Sequence, residues 1–293
     1  MPSPPLPLPL PLPLPLLLRC ADKTIDLSRP VVMGVLNVTP DSFSDGGRFA
    51  SLDAAVDQGL RMAAEGAALI DVGGESTRPG AQPVTAEEEL RRVLPVIERL
   101  RRGTTAIISV DTSKPEVIHA AAAAGAGFIN DVRALREPGA LEAAARSGCG
   151  LCLLHMQGDP RTMQVAPHYV DVVAEVRSFL TGRVAACRAA GVDPARLTVD
   201  PGFGFGKSME HNVTLLRHLA ELVADGPPVL VGLSRKSTVG KLTGREPGER
   251  LYGSVALAVI AALKGARIIR AHDVAATVDA LKVTAAVAGQ GGD

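Results

Sequence analysis

The sequence has no excess of either charge, because its 31 lysines and arginines equal its 31 aspartates and glutamates. Without a net positive field, extended binding to nucleic acid is disfavoured, and any anion that the protein binds should be small and held locally. No stretch is apolar over the roughly 20 positions that a membrane-spanning helix requires, so no membrane span is expected. A serine–histidine–acid or cysteine–histidine signature is also absent, which argues against a nucleophilic side chain.

Cysteines are few and irregularly spaced, at Cys20, Cys149, Cys152 and Cys187. Four such residues do not make a disulfide framework, so we expect reduced thiols and a cytoplasmic protein. Cys149 and Cys152 form a C-x-x-C pair, but no second pair or cysteine–histidine cluster completes a metal site. Because the pair lies at and within an apolar run, we expect it to pack in the core, and we assign it no metal.

Proline and leucine alternate from residue 2 to residue 18. Proline at every second position removes backbone donors and blocks a helix. The segment has neither the basic start of a secretory signal nor the length of a membrane span. We therefore expect residues 1–22 to be a disordered or polyproline II tail and residues 23–293 to be a single domain.

From Val31 onward one unit repeats: an apolar run, a polar tip and a stretch with helical periodicity. The runs are continuous in valine, isoleucine and leucine, as strands buried on both faces of a parallel sheet are. Eight strands with eight following helices predict an α/β fold of the (β/α)8 TIM-barrel type; the alternative, a doubly wound open sheet, does not explain the count of eight. The predicted strands are Val31–Val38, Ala68–Glu75, Ala106–Thr112, Phe128–Val132, Leu151–His155, Leu197–Gly202, Val229–Ser234 and Arg267–His272. The predicted helices are Leu52–Glu65, Ala86–Arg101, Lys114–Ala124, Pro138–Ser147, Tyr169–Ala190, Glu210–Ala224, Arg250–Ala262 and Val274–Ala286.

Two long loops are expected above the barrel, from Asn37 to Gly47 and from Gly73 to Gly80. Both are polar and rich in glycine, and connections of this kind are usually lids or binding loops, the alternative being a merely solvated connection. In the second loop, two hydroxyls and a guanidinium suit a phosphate or a carboxylate. We interpret the two loops as a closing pair.

Polar residues end several of the predicted strands: Asp111, Asn130 and Asp200 end the third, fourth and sixth, and Lys236 follows the seventh. A carboxylate beneath a polar heterocycle accepts two parallel N–H bonds, and an amide beside it reads a mixed donor and acceptor edge. A single such residue could be a helix N-cap, an alternative that the proline four residues after Asp111 favours. Three of them exceed what capping explains, so we predict a pocket for a polar ring.

Arg270 and His272 lie two positions apart on the eighth predicted strand, so their side chains should point the same way. The region around strands seven and eight commonly holds phosphate in this fold. A salt bridge from Arg270 to a loop acid is the structural alternative.

The glycine-rich segment Val199–Ser208 fails the patterns of both nucleotide-binding loops, because Pro201 and Lys207 stand where glycines belong. It carries two phenylalanines into the mouth of the predicted barrel. The chain has six phenylalanines and no tryptophan, and three of the six lie in mouth loops, which suggests that a flat ring binds there. These three are Phe43, Phe203 and Phe205.

In order and spacing, these motifs resemble those of the dihydropteroate synthases of folate biosynthesis. The likeness covers essentially everything after the proline–leucine tail, with Ala271 standing where that family usually has valine. The matching segments are Gly34–Gly47, Asp71–Gly80, Asp111–Lys114, Ile129–Val132, His155–Gln164, Asp200–Lys207, Gly232–Gly244 and Arg270–Val274.

The resemblance implies condensation of 6-hydroxymethyl-7,8-dihydropterin diphosphate with 4-aminobenzoate to 7,8-dihydropteroate and diphosphate, with Mg2+ as cofactor and a homodimer as the assembly. The residues that it implies for the pterin pocket are Asp111, Asn130, Asp200 and Lys236. Those implied for the diphosphate and Mg2+ are Asn37, Arg270 and His272, with Asn37 as the metal ligand. Those implied around 4-aminobenzoate, where sulfonamides also bind, are Phe43, Pro79, Phe205 and Ser234, and those in the mobile second loop are Thr77 and Arg78. The implied catalytic residues are Asp111, Arg78 and Lys236.

Two alternatives stay open at this point. One is a catalytically inactive paralogue that binds pterin, since a fold does not determine activity. The other is a folate-binding barrel of the corrinoid-methyltransferase type, which resembles the family in pocket and fold. Such a barrel needs neither a diphosphate clamp nor an aminobenzoate loop pair, and both are expected here.

Overall fold

A parallel eight-stranded sheet forms the centre of the protein. The computed structural model describes residues 16–38, 47–76, 82–159, 162–224 and 226–288. The strands are β1 (Leu17–Cys20), β2 (Lys23–Asp26), β3 (Val31–Asn37), β4 (Leu69–Gly73), β5 (Ile107–Asp111), β6 (Phe128–Asp131), β7 (Gly150–Leu154), β8 (Leu197–Asp200), β9 (Leu230–Val231) and β10 (Ile268–Ala271). The sheet runs in the order β8-β7-β6-β5-β4-β3-β10-β9, and a bridge between Val199 and Val229 joins its two ends. The predicted (β/α)8 barrel is therefore confirmed, and the open sheet is wrong because β8 and β9 meet.

Helices follow the barrel strands as expected, with two local differences. They are α1 (Gly47–Ala64), α2 (Ala86–Gly103), α3 (Pro115–Ala123), α4 (Ala140–Ser147), α5 (Val172–Ala189), α6 (Met209–Arg217), α7 (Leu219–Val223), α8 (Ser237–Thr243), α9 (Leu251–Leu263) and α10 (Val274–Val287). The predicted helix 210–224 is divided into α6 and α7, because the backbone leaves helical geometry at His218. Helix α8 follows β9 and was not predicted, since seven residues are too few to show a helical period.

A β-hairpin made of β1 and β2 closes the N-terminal end of the barrel. Leu18 and Cys20 are buried and pack with residues inside the strands, including Phe128 of β6. The expected tail of residues 1–22 is therefore wrong in its boundary, since the described chain is already a strand at Leu17. The reason is local: proline ends at residue 15, and the four residues of β1 alternate between exposed and buried, as an edge hairpin requires.

Two layers of apolar side chains stabilise the barrel. One lies between the sheet and the helices and includes Cys149, and the other lies inside the barrel under the hairpin and includes Cys152. Both cysteines are buried free thiols, so the prediction that the C-x-x-C pair packs in the core is confirmed. None of the helices in the described ranges combines the length and the apolar character that crossing a bilayer would require.

Candidate active site

The C-terminal ends of neighbouring strands bring predicted polar residues to one level. Asn37 pairs in register with Gly73, and Gly73 pairs with Asp111. Asp111 pairs in turn with Asn130. A Cβ atom at Gly73 would lie 3.8 Å from Asn37 Oδ1 and 3.9 Å from Asp111 Oδ2, so the glycine leaves space between these two groups. The capping alternative for Asp111 is wrong, because Lys114 is the N-cap residue of α3.

Arg270 lies at the centre of the mouth and binds two carboxylates. Its Nε donates to Asp71 Oδ2 at 2.6 Å, and its Nη2 donates to Asp111 Oδ2 at 3.0 Å. Asp71 also accepts from Ser109 Oγ and from Asn130 Nδ2. The alternative of a salt bridge to a loop acid is wrong, because both partners lie on strands of the barrel.

Asp71 is a site residue that the sequence analysis missed. It is fully buried in the middle of β4, within the run Leu-Ile-Asp-Val-Gly. Asp71 lies inside a strand, whereas the other predicted polar residues follow apolar runs at strand ends. A signal was nevertheless present, because an aspartate inside an otherwise apolar strand must have a buried partner.

Two carboxylates share one guanidinium here, and this imbalance affects the protonation of Asp111. Burial, together with the neighbouring Asp71, raises the pKa of Asp111 to about 8 against the lowering effect of Arg270. Burial opposes the charge on Arg270, but the two carboxylates hold its pKa above the ordinary value. A positive charge that develops near Asp111 would therefore favour its ionised form.

Asn130, at the end of β6, has an unused acceptor. The residue is buried, and its Nδ2 donates to Asp71 at 3.0 Å. Its buried Oδ1 has no hydrogen-bond partner in the part of the chain that the structure describes. Leaving a buried acceptor unpaired costs about 1–3 kcal/mol, so a ligand N–H that reached Oδ1 would remove this cost.

Asp200 and Lys236 lie at the same mouth of the barrel, at the end of β8 and just before α8. Asp200 Oδ1 accepts from the backbone N–H of Gly202 at 2.7 Å, and burial raises the pKa of this carboxyl despite Lys236. Burial lowers the pKa of Lys236 to about 8, while Asp200 opposes that change. A Cβ atom at Gly232 would lie 3.7 Å from Lys236 Nζ and 3.9 Å from Arg270 Cδ. The two groups of predicted residues therefore meet at the mouth of the barrel.

Ser234 and His272 lie at the same mouth, where the chain leaves β9 and β10. The backbone N–H of His272 donates to Ser234 Oγ at 3.2 Å, and His272 Nδ1 lies 3.1 Å from the same oxygen. Between them in space, Arg235 forms an ion pair with Asp273, which ties the two loops together. Arg235 itself has a φ of 57°, and its N–H donates to Ser254 Oγ at 2.9 Å.

The predicted phenylalanines divide between core and mouth. Phe203 is buried in the core between sheet and helices, so the prediction that it flanks a ligand is wrong. Phe205 is partly buried in a small apolar cluster, and Lys236 Nζ lies 4.6 Å from the centre of its ring. Four predicted site residues lie outside the described residues: Phe43, Thr77, Arg78 and Pro79.

The base of the second loop is held by α2 and by the start of α3. Lys114 Nζ donates to Glu75 and to the buried Glu89. Arg92 Nη1 donates to the carbonyl of Gly74 at 2.8 Å. A cavity of about 410 Å³ adjoins this base and is lined partly by Asp111, which places the start of the second loop next to the central cluster.

Comparisons with known proteins agree with this geometry. A family model described as pterin binding enzyme matches residues 33–272. The chain is 57% identical over 263 residues to the dihydropteroate synthase of Escherichia coli strain K12, which covers 90% of this chain and 93% of that protein. A solved Xanthomonas albilineans dihydropteroate synthase with 4-aminobenzoic acid superposes with a TM-score of 0.89 at 59% identity, covering 94% of this chain and 98% of the other. A structure of dihydropteroate synthase from the same organism in complex with 7,8-dihydropteroate has a TM-score of 0.85 at 56% identity, with coverages of 93% and 98%.

Proposed function

The chain belongs to the pterin-binding enzyme family, and from this membership we infer that its barrel mouth catalyses the dihydropteroate synthase reaction. The substrates are 6-hydroxymethyl-7,8-dihydropterin diphosphate and 4-aminobenzoate, and the products are 7,8-dihydropteroate and diphosphate. The observation in this chain that carries the proposal is the cluster around Arg270, with an unpaired buried acceptor on Asn130 and a buried carboxylate at Asp200 at the same end of the barrel. A polar heterocycle supplies the N–H groups that such acceptors need.

The pterin ring is held by groups from both sides of the cavity. Asp200 accepts N–H groups of the ring, and Asn130 Oδ1 accepts another. Lys236 donates to a ring acceptor from the side of β9. Burial of Asp200 and Asn130, with Lys236 partly buried beside them, supports the assignment, because hydrogen bonds to charged groups are stronger and more selective when water is excluded.

The reaction breaks the bond between the pterin methylene carbon and the diphosphate oxygen, and the bonding electrons leave with diphosphate. The amine nitrogen of 4-aminobenzoate then forms the new C–N bond with its lone pair and loses a proton. Positive charge develops on the electron-rich ring as diphosphate departs. Ionised Asp111 stabilises that charge electrostatically, and the reaction needs no nucleophilic side chain. Arg270 and His272 offset the negative charge on the departing diphosphate.

Mg2+ belongs to this proposal as the implied cofactor. In the described ranges, no group of three or more acidic, histidine or cysteine residues could hold a metal ion by itself. The chain offers instead the amide oxygen of Asn37 at the end of β3, close to Gly73. This fits Mg2+, which commonly takes one or two protein oxygens together with substrate phosphates and water. When bound, it would neutralise charge on the diphosphate.

4-Aminobenzoate is assigned to the side of the cavity near Phe205 and Ser234. The Phe205 ring offers an apolar face, and Ser234 a hydroxyl that already contacts His272. Phe43, Thr77, Arg78 and Pro79 complete this side in the proposal, with Arg78 as a catalytic residue beside Asp111 and Lys236. Sulfonamides, which mimic 4-aminobenzoate, compete for the same place.

A direct assay tests the function. Purified protein is mixed with pterin diphosphate, Mg2+ and 4-aminobenzoate, and dihydropteroate is quantified by chromatography. Formation of product that stops when either substrate is omitted supports the proposal. Tight pterin binding without product would instead identify an inactive paralogue, and methyl transfer from a folate to a corrinoid would identify the methyltransferase-type barrel.

The assembly and compartment extend the proposal. We propose a homodimer because α9 and α10 present exposed apolar side chains, among them Tyr252, Leu263 and Val287. Sedimentation at micromolar concentration tests it: the mass of two chains is expected, and a single-chain mass contradicts it.

We also propose action in the cytoplasm, because all four cysteines are free thiols, as reducing compartments maintain them. Cell fractionation tests this assignment.

A further inference from the structure

Lys207 is a buried lysine that none of the roles above uses, and burial lowers its pKa to about 7. It is 2% exposed, and no carboxylate among the described residues forms an ion pair with it. Its Nζ lies 2.9 Å from His155 Nδ1, 2.9 Å from the carbonyl of Gly202 and 3.0 Å from the carbonyl of Phe205. Burying a lysine without a counter-ion is costly, and a residue with no task would not be expected in such a place.

His155 behaves as an acceptor for this lysine. Burial, and then the charge of Lys207, lowers the pKa of His155 to about 3, so the ring is neutral near pH 7. The ring is held edge-on against Phe179, with 4.9 Å between the centres. With Nδ1 as acceptor, Lys207 Nζ has four acceptors within reach: this ring nitrogen and the carbonyls of Gly202, Phe205 and, at 3.3 Å, His155 itself.

The carbonyls that Lys207 holds belong to the loop that follows β8. Gly202, Gly204 and Gly206 all have left-handed φ values of 72°, 81° and 63°. A Cβ atom at Gly202 would lie 1.8 Å from the carbonyl oxygen of His155, so the loop passes too close to this strand end for any side chain. Lys236 donates to the carbonyl of Phe203 in the same loop. Two lysine side chains therefore hold the loop.

We propose that Lys207 is a positioning residue for the reaction, acting through the loop of residues 201–206 on Asp200 and Phe205. The carbonyl of Gly202 is bound by Lys207, while the N–H of the same residue donates to Asp200 Oδ1. The carbonyl of Phe205 is bound by Lys207, while the ring of the same residue lies beside Lys236. Lys207 thus reaches both a pterin-binding and an aminobenzoate-binding group without touching substrate. This inference rests on the proposed function.

The test compares Lys207→Met with Lys23→Met. Lys23 is a matched control, because it also donates to two carbonyls, those of Thr105 and Ala106, but at the far end of the barrel. For Lys207→Met we expect the KM for 4-aminobenzoate to rise about tenfold or more. The Kd for pterin diphosphate should rise by only about threefold, because pairing of β8 with β7 limits the displacement of Asp200. Lys207→Gln, which keeps two donors, should lie between the parent and the methionine variant.

For each variant, ligand binding is measured independently of turnover. Affinity for 4-aminobenzoate is measured by calorimetry in the presence of pterin and diphosphate. An inactive parent protein would overturn the proposed function. The positioning role of Lys207 would then be decided by the binding measurements alone. Unchanged aminobenzoate KM and affinity in Lys207→Met would overturn the inference. So would equal losses in the Lys23→Met control, or failure of both Lys207 variants to fold, since either result would make Lys207 a residue of general stability.

Discussion

Asp71 shows how one buried side chain sets the protonation of its neighbours. It accepts hydrogen bonds from Arg270, Asn130 and Ser109, and its charge is one reason why the pKa of Asp111 is raised to about 8. A catalytic carboxylate is useful only in the protonation state that its step requires. The sequence placed Asp111 in the site, but its charge state depends on a residue 40 positions earlier.

Asp71→Asn should move the acidic limb of the kcat profile to lower pH by about one unit, because removing a like charge lowers the pKa of Asp111. Stabilisation of a positive ring requires ionised Asp111, so the fall of kcat with pH reports that group. The measurement is kcat against pH at saturating substrates. The exposed Asp193→Asn, at the other end of the barrel, serves as the control. An acidic limb that stays in place would contradict the assignment of Asp111.

Asp200→Asn should weaken binding of the pterin substrate by about 1.5–3 kcal/mol, the typical contribution of a hydrogen bond to a charged group. The amide oxygen can still accept from the N–H of Gly202, so the loop should keep its place. Calorimetric titration measures the affinity for the pterin substrate, and Asp193→Asn again serves as the control. Parent-like affinity would remove Asp200 from the pterin pocket.

At the scale of elements, the loop after β8 depends on glycine for two different reasons. Gly202 has a left-handed φ and no space for a Cβ atom, whereas Gly148, after α4, has a φ of 73° with nothing within 4 Å of its Cβ position. Strain in the left-handed region alone costs about 1–2 kcal/mol.

Gly148→Ala should therefore lower the unfolding free energy by about 1–2 kcal/mol and leave turnover unchanged. Gly202→Ala must also displace the carbonyl of His155, so it should lower kcat/KM by at least about 100-fold, a typical cost of misplaced catalytic geometry. Denaturant unfolding and steady-state kinetics of both variants check this pair. Similar turnover in the two variants would show that the loop tolerates displacement.

The β1–β2 hairpin is an element for stability rather than chemistry. Leu18 is 1% exposed inside the barrel end, while its neighbour Leu17 is 49% exposed. Leu18→Ala should lower the unfolding free energy by about 2–5 kcal/mol through the cavity that it leaves, with KM values unchanged. Leu17→Ala should change stability by less than about 0.5 kcal/mol. Equal stability of the two variants in urea would mean that the hairpin does not seal the barrel.

Across the whole molecule, buried groups with shifted pKa values make stability depend on pH. The pKa of His155 is lowered to about 3 by burial and by Lys207, whereas an unfolded histidine has a pKa of about 6.5. Between these values the unfolded chain binds more protons than the native protein, so this group's contribution falls as pH falls below about 6.5.

Between pH 6.5 and pH 4.5, the parent should lose about 2 kcal/mol more unfolding free energy than His155→Gln, which cannot be protonated. Urea unfolding at several pH values measures both proteins, and the difference between their slopes isolates this group from the others that titrate. Parallel slopes would show that His155 is not buried as a neutral ring.

How far the sequence predicted the site can be seen at particular residues. The strand ends at Asp111, Asn130 and Asp200 were found because apolar runs show where a parallel strand stops. Asp71 was missed because it lies inside such a run, and Lys207 was dismissed with a failed nucleotide motif. Phe203 was misplaced because position in a loop does not show which way a side chain turns.

The order of strands and helices, and the polar residue at each strand end, were determined by the sequence alone, because hydrophobic periodicity is a local property of the chain. The tertiary structure decided which of the polar groups form hydrogen bonds or ion pairs with one another. Arg270 is bound to Asp71 and Asp111, which precede it by 199 and 159 positions. Only closure of the barrel brings such distant residues together, and only burial gives their contacts strength, since charges interact weakly until water is removed from around them.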